Sequence, residues 1–218
     1  MRLESPQRFQ NWDRLYSHGV TALLGVLALL ACIALITPMV RLWLWTEGLN
    51  ESWNALHALH AFSTALYPPG DEPRVNNYPP LWFYLTGALA RIFGDPVFPG
   101  RIVSLLAFAA IATAIFAIVY RLGSTVISDA VAGLSFVAFM AVAFRWWIGA
   151  AEPQMLALAF VTSGAAILVG ARTRTMVALA ALLMIIGGLT KHIVVALPLA
   201  SAVWLAMHRR PLFIHGFW

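Results

Sequence analysis

Leu81-Trp82-Phe83-Tyr84-Leu85-Thr86-Gly87-Ala88-Leu89-Ala90-Arg91-Ile92-Phe93-Gly94 is the stretch on which the reading of the whole chain turns. It opens on aromatic residues, carries Arg91 inside, and closes at Gly94-Asp95-Pro96. Coiled as a helix it reaches ~21 Å, short of a hydrocarbon core of about 30 Å. Its Trp and Tyr suit the membrane–water interface. The stretch reads as a helix lying on a membrane surface, and the number of crossings follows from it.

The surrounding sequence supplies the membrane. Of 218 residues, 61% are apolar and 11% charged, and the mean hydropathy is +0.80. A soluble domain runs roughly 45–50% apolar and about 25% charged, so a single water-soluble domain is excluded. Uncharged runs cover residues 15–40, 102–120, 153–171 and, with flanks, 130–144. Two shorter runs, 175–190 and 192–208, abut at Lys191 and read as compact helices meeting near one membrane face. The first run is too long for a signal core of about 7–15 residues. Leu30-Ala31-Cys32 faintly resembles a lipoprotein cleavage site, but the apolar run continues past it. Cys32 is the only cysteine, which excludes a disulfide framework and a cysteine-ligated metal centre.

Charge then chooses the topology. If 81–94 stays on the surface, segments 1–18, 121–124, 171–175 and 208–218 face inward. They carry Arg2, Arg8, Arg14, Arg121, Arg172, Arg174, Arg209 and Arg210. Were 81–94 to cross, Arg121 and Arg209-Arg210 would move outside, against the positive-inside rule. The expected fold is all-α and polytopic, with about six transmembrane helices and both ends inside. An external loop, 41–101, carries interfacial helices between spans one and two. Residues 1–218 form one membrane-embedded domain without internal repeats. The apolar start Pro211-Leu212-Phe213-Ile214, running to Phe217-Trp218, reads as the beginning of a further span and hence as the amino-terminal part of a longer protein. The net charge of +5 comes from thirteen Arg and one Lys. These charges set topology and form no basic run of the kind that nucleic acid requires, so no nucleic-acid partner is expected.

The external loop is far longer than a connector of about 4–6 residues. Residues 52–62 read as a helix in which Trp53, Leu56, Leu59 and Phe62 recur every third position as an apolar stripe. Turns follow at Tyr67-Pro68-Pro69-Gly70 and Asn76-Asn77-Tyr78-Pro79-Pro80. Glu47 stands just past span one, where partial desolvation can raise a carboxylate pKa toward that of a general base. By position alone it is equally readable as a solvated juxtamembrane acid. Glu152, Lys191-His192 and Arg101 fall on the same face. Carboxylates opposite a Lys/Arg cluster suit a donor bearing a phosphate: the cation holds the departing phosphate while the acid activates an attacking hydroxyl. His57 and His60, at i and i+3, fit one metal by spacing, but no third ligand stands near them, and two such histidines are more often interface residues. The residues name no particular cofactor; a divalent metal stays open. Asn50-Glu51-Ser52 matches the glycosylation pattern, which is short and frequent.

Four features in order resemble the amino-terminal half of membrane-embedded glycosyltransferases that use lipid-phosphate sugars, the protein O-mannosyltransferase and aminoarabinose transferase relatives often grouped as family 39. They are Glu47-Gly48 after span one; Tyr78-Pro79-Pro80-Leu81 followed by Phe93-Gly94 and Arg101; Glu152-Pro153 opening a later span; and Gly188-Leu189-Thr190-Lys191 in a hairpin. The likeness covers roughly residues 20–210. It departs where many relatives carry Asp-Glu and this chain has Glu47-Gly48.

The resemblance implies Glu47 as the catalytic base and Glu152 as a second acid shaping the site. It implies Lys191 as a contact to the lipid phosphate, with His192, Arg101, Tyr78, Pro79 and Pro80 around the substrate. It also implies an interfacial helix after the Pro-Pro pair. The expected function is transfer of a sugar from a polyprenyl-phosphate donor to an external acceptor, a glycan, lipid or protein of the cell envelope. The expected location is a bacterial inner membrane, embedded in its lipid, with the site on the periplasmic face. The alternatives are a transporter or channel fragment and a non-catalytic membrane scaffold.

Overall fold

A computed structural model of the protein describes residues 18–33, 36, 40, 48–63, 66–68 and 75–208. Among them are eight helices and no strand. These are α1 (His18–Ile33), α2 (Leu49–Leu59), α3 (Leu81–Phe93), α4 (Val97–Arg121), α5 (Val126–Ala143), α6 (Pro153–Val169), α7 (Arg174–Thr190) and α8 (Ala196–His208). The all-helical expectation holds.

Each boundary has a local cause. Pro153 occupies the first turn of α6, where its missing N–H leaves no bond unmade. Thr125 and Thr173 cap α5 and α7, their hydroxyls accepting from Ser128 N and Met176 N at 3.3 Å. The helix at 81–94 ends as read, with Gly94 in the left-handed region at φ 79°. Asp95 then accepts from Val97 N at 3.0 Å and Phe98 N at 2.9 Å, satisfying the free amides at the head of α4. That cap starts α4 at Val97 rather than at 102, which puts Arg101 inside a helix instead of in a loop.

α6 is the spine. It packs between α4 and α7 and also touches α8, while α5 lies on α4. One core joins Ala107, Phe108 and Ile111 of α4 with Met140, Ile148, Met155 and Ala159. Another joins Ala165 and Leu168 of α6 with Ala180 and Met184 of α7 and Leu205 of α8. The α6–α7 approach depends on absent side chains. A Cβ on Gly187 would stand 2.7 Å from Val161 Cγ1 and 3.0 Å from the carbonyl oxygen of Ala157. Gly188, one residue on, faces open space. Gly187→Ala is expected to destabilise the protein by about 1–3 kcal/mol through overpacking. Gly188→Ala should be neutral or slightly stabilising, since alanine is the better helix former. Thermal unfolding of the two variants in parallel checks this.

α4 and α5 are long and apolar enough to cross a membrane, and only 28% of the most apolar window of each is buried within the protein. Leu106, Phe139 and Val142 face outward. A core helix of a soluble protein would bury such residues; these two present an apolar exterior, which favours membrane association.

The loop helix starts and ends three residues before the expected 52–62. Three residues of its apolar stripe turn outward, Trp53 40%, Leu59 62% and Phe62 52% exposed, while Leu56 is half-buried. The face against α3 and α4 is instead Glu51, Asn54, His57, Ala58 and Ala61. Trp82 and Phe83 of α3 complete that small core with Val97 and Ala151.

Candidate functional site

The hairpins from α4 to α8 bring the start of α2, residues 66–68 and 75–80, the head of α4, residues 145–153 and the turn at Lys191 to one end of the bundle. Arg121 marks the opposite end, where its guanidinium donates to the carbonyl of Ala166.

At the first end Glu51 is 3% exposed and fully engaged. Its Oε1 accepts from Arg101 Nε at 2.9 Å and from the Ala151 amide at 2.8 Å. Its Oε2 accepts from Arg101 Nη2 at 2.8 Å and from the Gly48 amide at 3.2 Å. Burial alone would raise the Glu51 pKa; the bonds from Arg101, Ala151 and Gly48 outweigh it and hold the carboxyl below its ordinary value. Asn54 Nδ2 donates to the Ala151 carbonyl at 3.4 Å.

The second cluster gathers Tyr78, Lys191, His192 and Glu152. Tyr78 is held by its backbone: its N–H donates to Asn76 Oδ1 at 3.1 Å, and its carbonyl accepts from the Tyr67 hydroxyl at 2.8 Å. The Lys191 ammonium lies 4.8 Å from the Tyr78 ring centroid, a cation–π contact. The His192 ring is 6.5 Å from the same ring. Lys191 is 9% exposed. Burial pushes its pKa below the usual lysine value, and the nearby charge of Glu152 acts in the opposite direction. Glu152 sits at the N-cap of α6 without capping through its side chain, which leaves the carboxylate available to the same end.

The remaining predicted site residues fall as follows. Tyr78, Lys191, His192 and Glu152 come together. Arg101 pairs with Glu51. Pro79 and Pro80 are half-buried where the chain enters α3, with the Pro80 carbonyl accepting from Tyr84 N at 3.0 Å. Glu47 lies outside the described residues. His57 is buried between the Trp53 and Phe83 rings, at centroid distances of 5.0 and 5.7 Å. His60 Nδ1 is 3.2 Å from the Leu56 carbonyl oxygen. Among the described residues no three His, Cys, Asp or Glu side chains are grouped to hold a metal. Glu51 was not anticipated. Its signal was its place three residues after Gly48, at N3 of a helix, where a carboxylate reaches back to the cap amide.

No protein-family model matches this chain, and no curated protein and no solved structure is significantly similar to it.

Proposed function

We propose that this chain is the membrane-embedded part of a glycosyltransferase that moves a sugar from a polyprenyl-phosphate carrier to an external acceptor. The observation that carries the reading is Lys191: a buried ammonium resting on an aromatic face, with an uncapped carboxylate, Glu152, nearby. Such a cation suits a phosphate that arrives from the lipid side and gains charge as it leaves. In the reaction a carboxylate takes the acceptor hydroxyl proton, the acceptor oxygen bonds to the sugar's anomeric carbon, and the bond from that carbon to the phosphate oxygen breaks. The polyprenyl phosphate departs against Lys191. Glu47 is the proton acceptor in this reading, and Glu152 shapes the acceptor side.

Two further features support it. A groove of about 370 Å³ between α7 and α8, lined by Val177, Ala181, Met184, Ile185, Pro198 and Ala202, reaches Gly188 and Val194, close to Lys191 in the chain. It suits the isoprenoid tail. The buried charged residues among those described, Glu51, Arg101, Asp129 and Lys191, stand at or near helix ends, whereas a transporter places its site at the midplane.

Lys191→Ala is expected to weaken binding of polyprenyl phosphate by the value of a hydrogen bond to a charged group, about 1.5–3 kcal/mol. Because the anion needs the ammonium, affinity should fall as pH rises through the lowered Lys191 pKa, earlier than an ordinary lysine would require. Titration of polyprenyl phosphate and of inorganic phosphate into the purified protein across pH measures both the cation's part and the tail's. Equal affinity in wild type and variant would remove Lys191 from the donor site.

In this reading the bundle crosses the membrane six times, with α3 on the external surface and the outward stripe of α2 toward lipid. Arg121, Arg172 and Arg174 then face inward. Arg91→Cys should label from outside and Leu122→Cys only after permeabilisation; external labelling at 122 would reverse the topology.

A further inference from the structure

Glu51 takes no part in the transfer chemistry described above, yet it joins three segments remote in sequence. Its carboxylate holds the backbone amides of Gly48 and Ala151 at the same time, and Arg101 fixes the carboxylate by two bonds. The Ala151 peptide is gripped on both sides by α2: its N–H by Glu51 and its carbonyl by Asn54. Behind it α4 comes so close that a Cβ on Gly100 would stand 3.0 Å from Ala151 Cβ. The segment leading into α6 therefore has little freedom to shift relative to α2. Gly48 and Ala151 are the chain neighbours of Glu47 and Glu152.

We propose that Glu51, locked by Arg101, is the positioning residue of this site: it ties residues 48 and 151 to one anchor and so fixes where Glu152, next in the chain, sits against α2. Its consequence for transfer rests on the function proposed above; its geometry does not. Arginine suits the task because its planar fork engages both carboxylate oxygens and stays charged. The carboxylate's remaining capacity then goes to the two amides, so the anchor is filled by partners whose positions matter.

The test uses the intact protein with Cys32→Ser, so that no native thiol remains. Gly48→Cys and Glu152→Cys are paired, and their cross-linking rate with a short dithiol-specific reagent is measured. Arg121→Cys with Gly170→Cys, which adjoin at the opposite end of the bundle, serves as the control pair. Glu51→Gln, and the milder Arg101→Lys should the first variant fold poorly, are introduced into each pair. The expected result is a rate lower by about tenfold for the 48–152 pair, the scale of one lost hydrogen bond to a charged group, with the control pair unchanged. In parallel, Glu51→Gln should reduce kcat by about a hundredfold, as a small misplacement of reacting groups does, with polyprenyl-phosphate affinity kept. An unchanged 48–152 rate in both variants overturns the proposal, and so does an equal slowing of both pairs by Arg101→Lys, which would make the ion pair a general structural support. If the 48–152 pair depends on Glu51 while Glu152→Gln and Glu47→Gln transfer sugar normally, the clamp stands and the proposed function falls.

Discussion

Glu47→Gln in the intact protein is expected to lower sugar transfer by about 10²–10⁴-fold, the usual loss when a general base is removed, while binding of polyprenyl phosphate stays near that of wild type. Glutamine keeps the size and hydrogen-bonding reach of the side chain but cannot take the acceptor proton at neutral pH. Lys191→Ala should separate from it, losing donor affinity along with turnover. Transfer and donor binding measured side by side for the two variants give the base and the phosphate contact distinct signatures. If Glu47→Gln turns over like wild type, Glu47 is a juxtamembrane acid, and the base must be sought elsewhere, with Glu152 first in line.

The second large effect concerns stability. Arg101→Met should destabilise the protein by about 3–5 kcal/mol, because it leaves the Glu51 carboxylate buried without its cation. Replacing both partners, Glu51→Met with Arg101→Met, should cost much less than the single change, since no uncompensated charge stays behind. Thermal or denaturant unfolding of the three variants in the same lipid or detergent forms the cycle. Additive losses would mean that the two side chains act independently. The pair also predicts a pH effect. The folded pKa of Glu51 lies below its unfolded value, so its contribution is complete above the unfolded pKa, near 4.3 on the usual scale. It is lost as pH falls through the lower folded value. Without Arg101 the main cause holding that pKa down is gone, so the penalty of Arg101→Met should be largest above this range and shrink as acid neutralises the carboxylate.

Much of the helical layout was legible because apolar runs, Pro and Gly punctuate this chain clearly. The 81–94 helix, the hairpin at Lys191 and the start of α6 at Pro153 all follow from local signals. The α2 face was not legible. A period of three in Trp53, Leu56, Leu59 and Phe62 names an apolar stripe but does not say which way it faces. Here the outward side carries the large residues, and the packed side is Glu51, Asn54, His57, Ala58 and Ala61. Arg101 was misjudged for a related reason: as a charged residue next to an uncharged run it looked like a boundary, whereas the Asp95 cap begins the helix before it. In the candidate site, Lys191, Glu152 and Tyr78 could be named from motif and order. The Glu51–Ala151 bond, spanning 100 residues, leaves no trace in local pattern, since each partner looks ordinary in its own neighbourhood.

The reach of that one carboxylate has a consequence for biogenesis. Its partners lie 3, 50 and 100 residues away along the chain, so they emerge from the ribosome one after another. Gly48 is available almost at once, Arg101 only when α4 begins, and Ala151 only after α4 and α5 have both been made. Until then the loop bearing α2 has an acid whose final donor does not yet exist, and it must wait, unclosed, while two later helices are made. The loop is thus early in synthesis and late in assembly, and a chain stalled before residue 151 would leave the Glu51 anchor incomplete, with Trp53 of α2 outward, open to quality-control machinery.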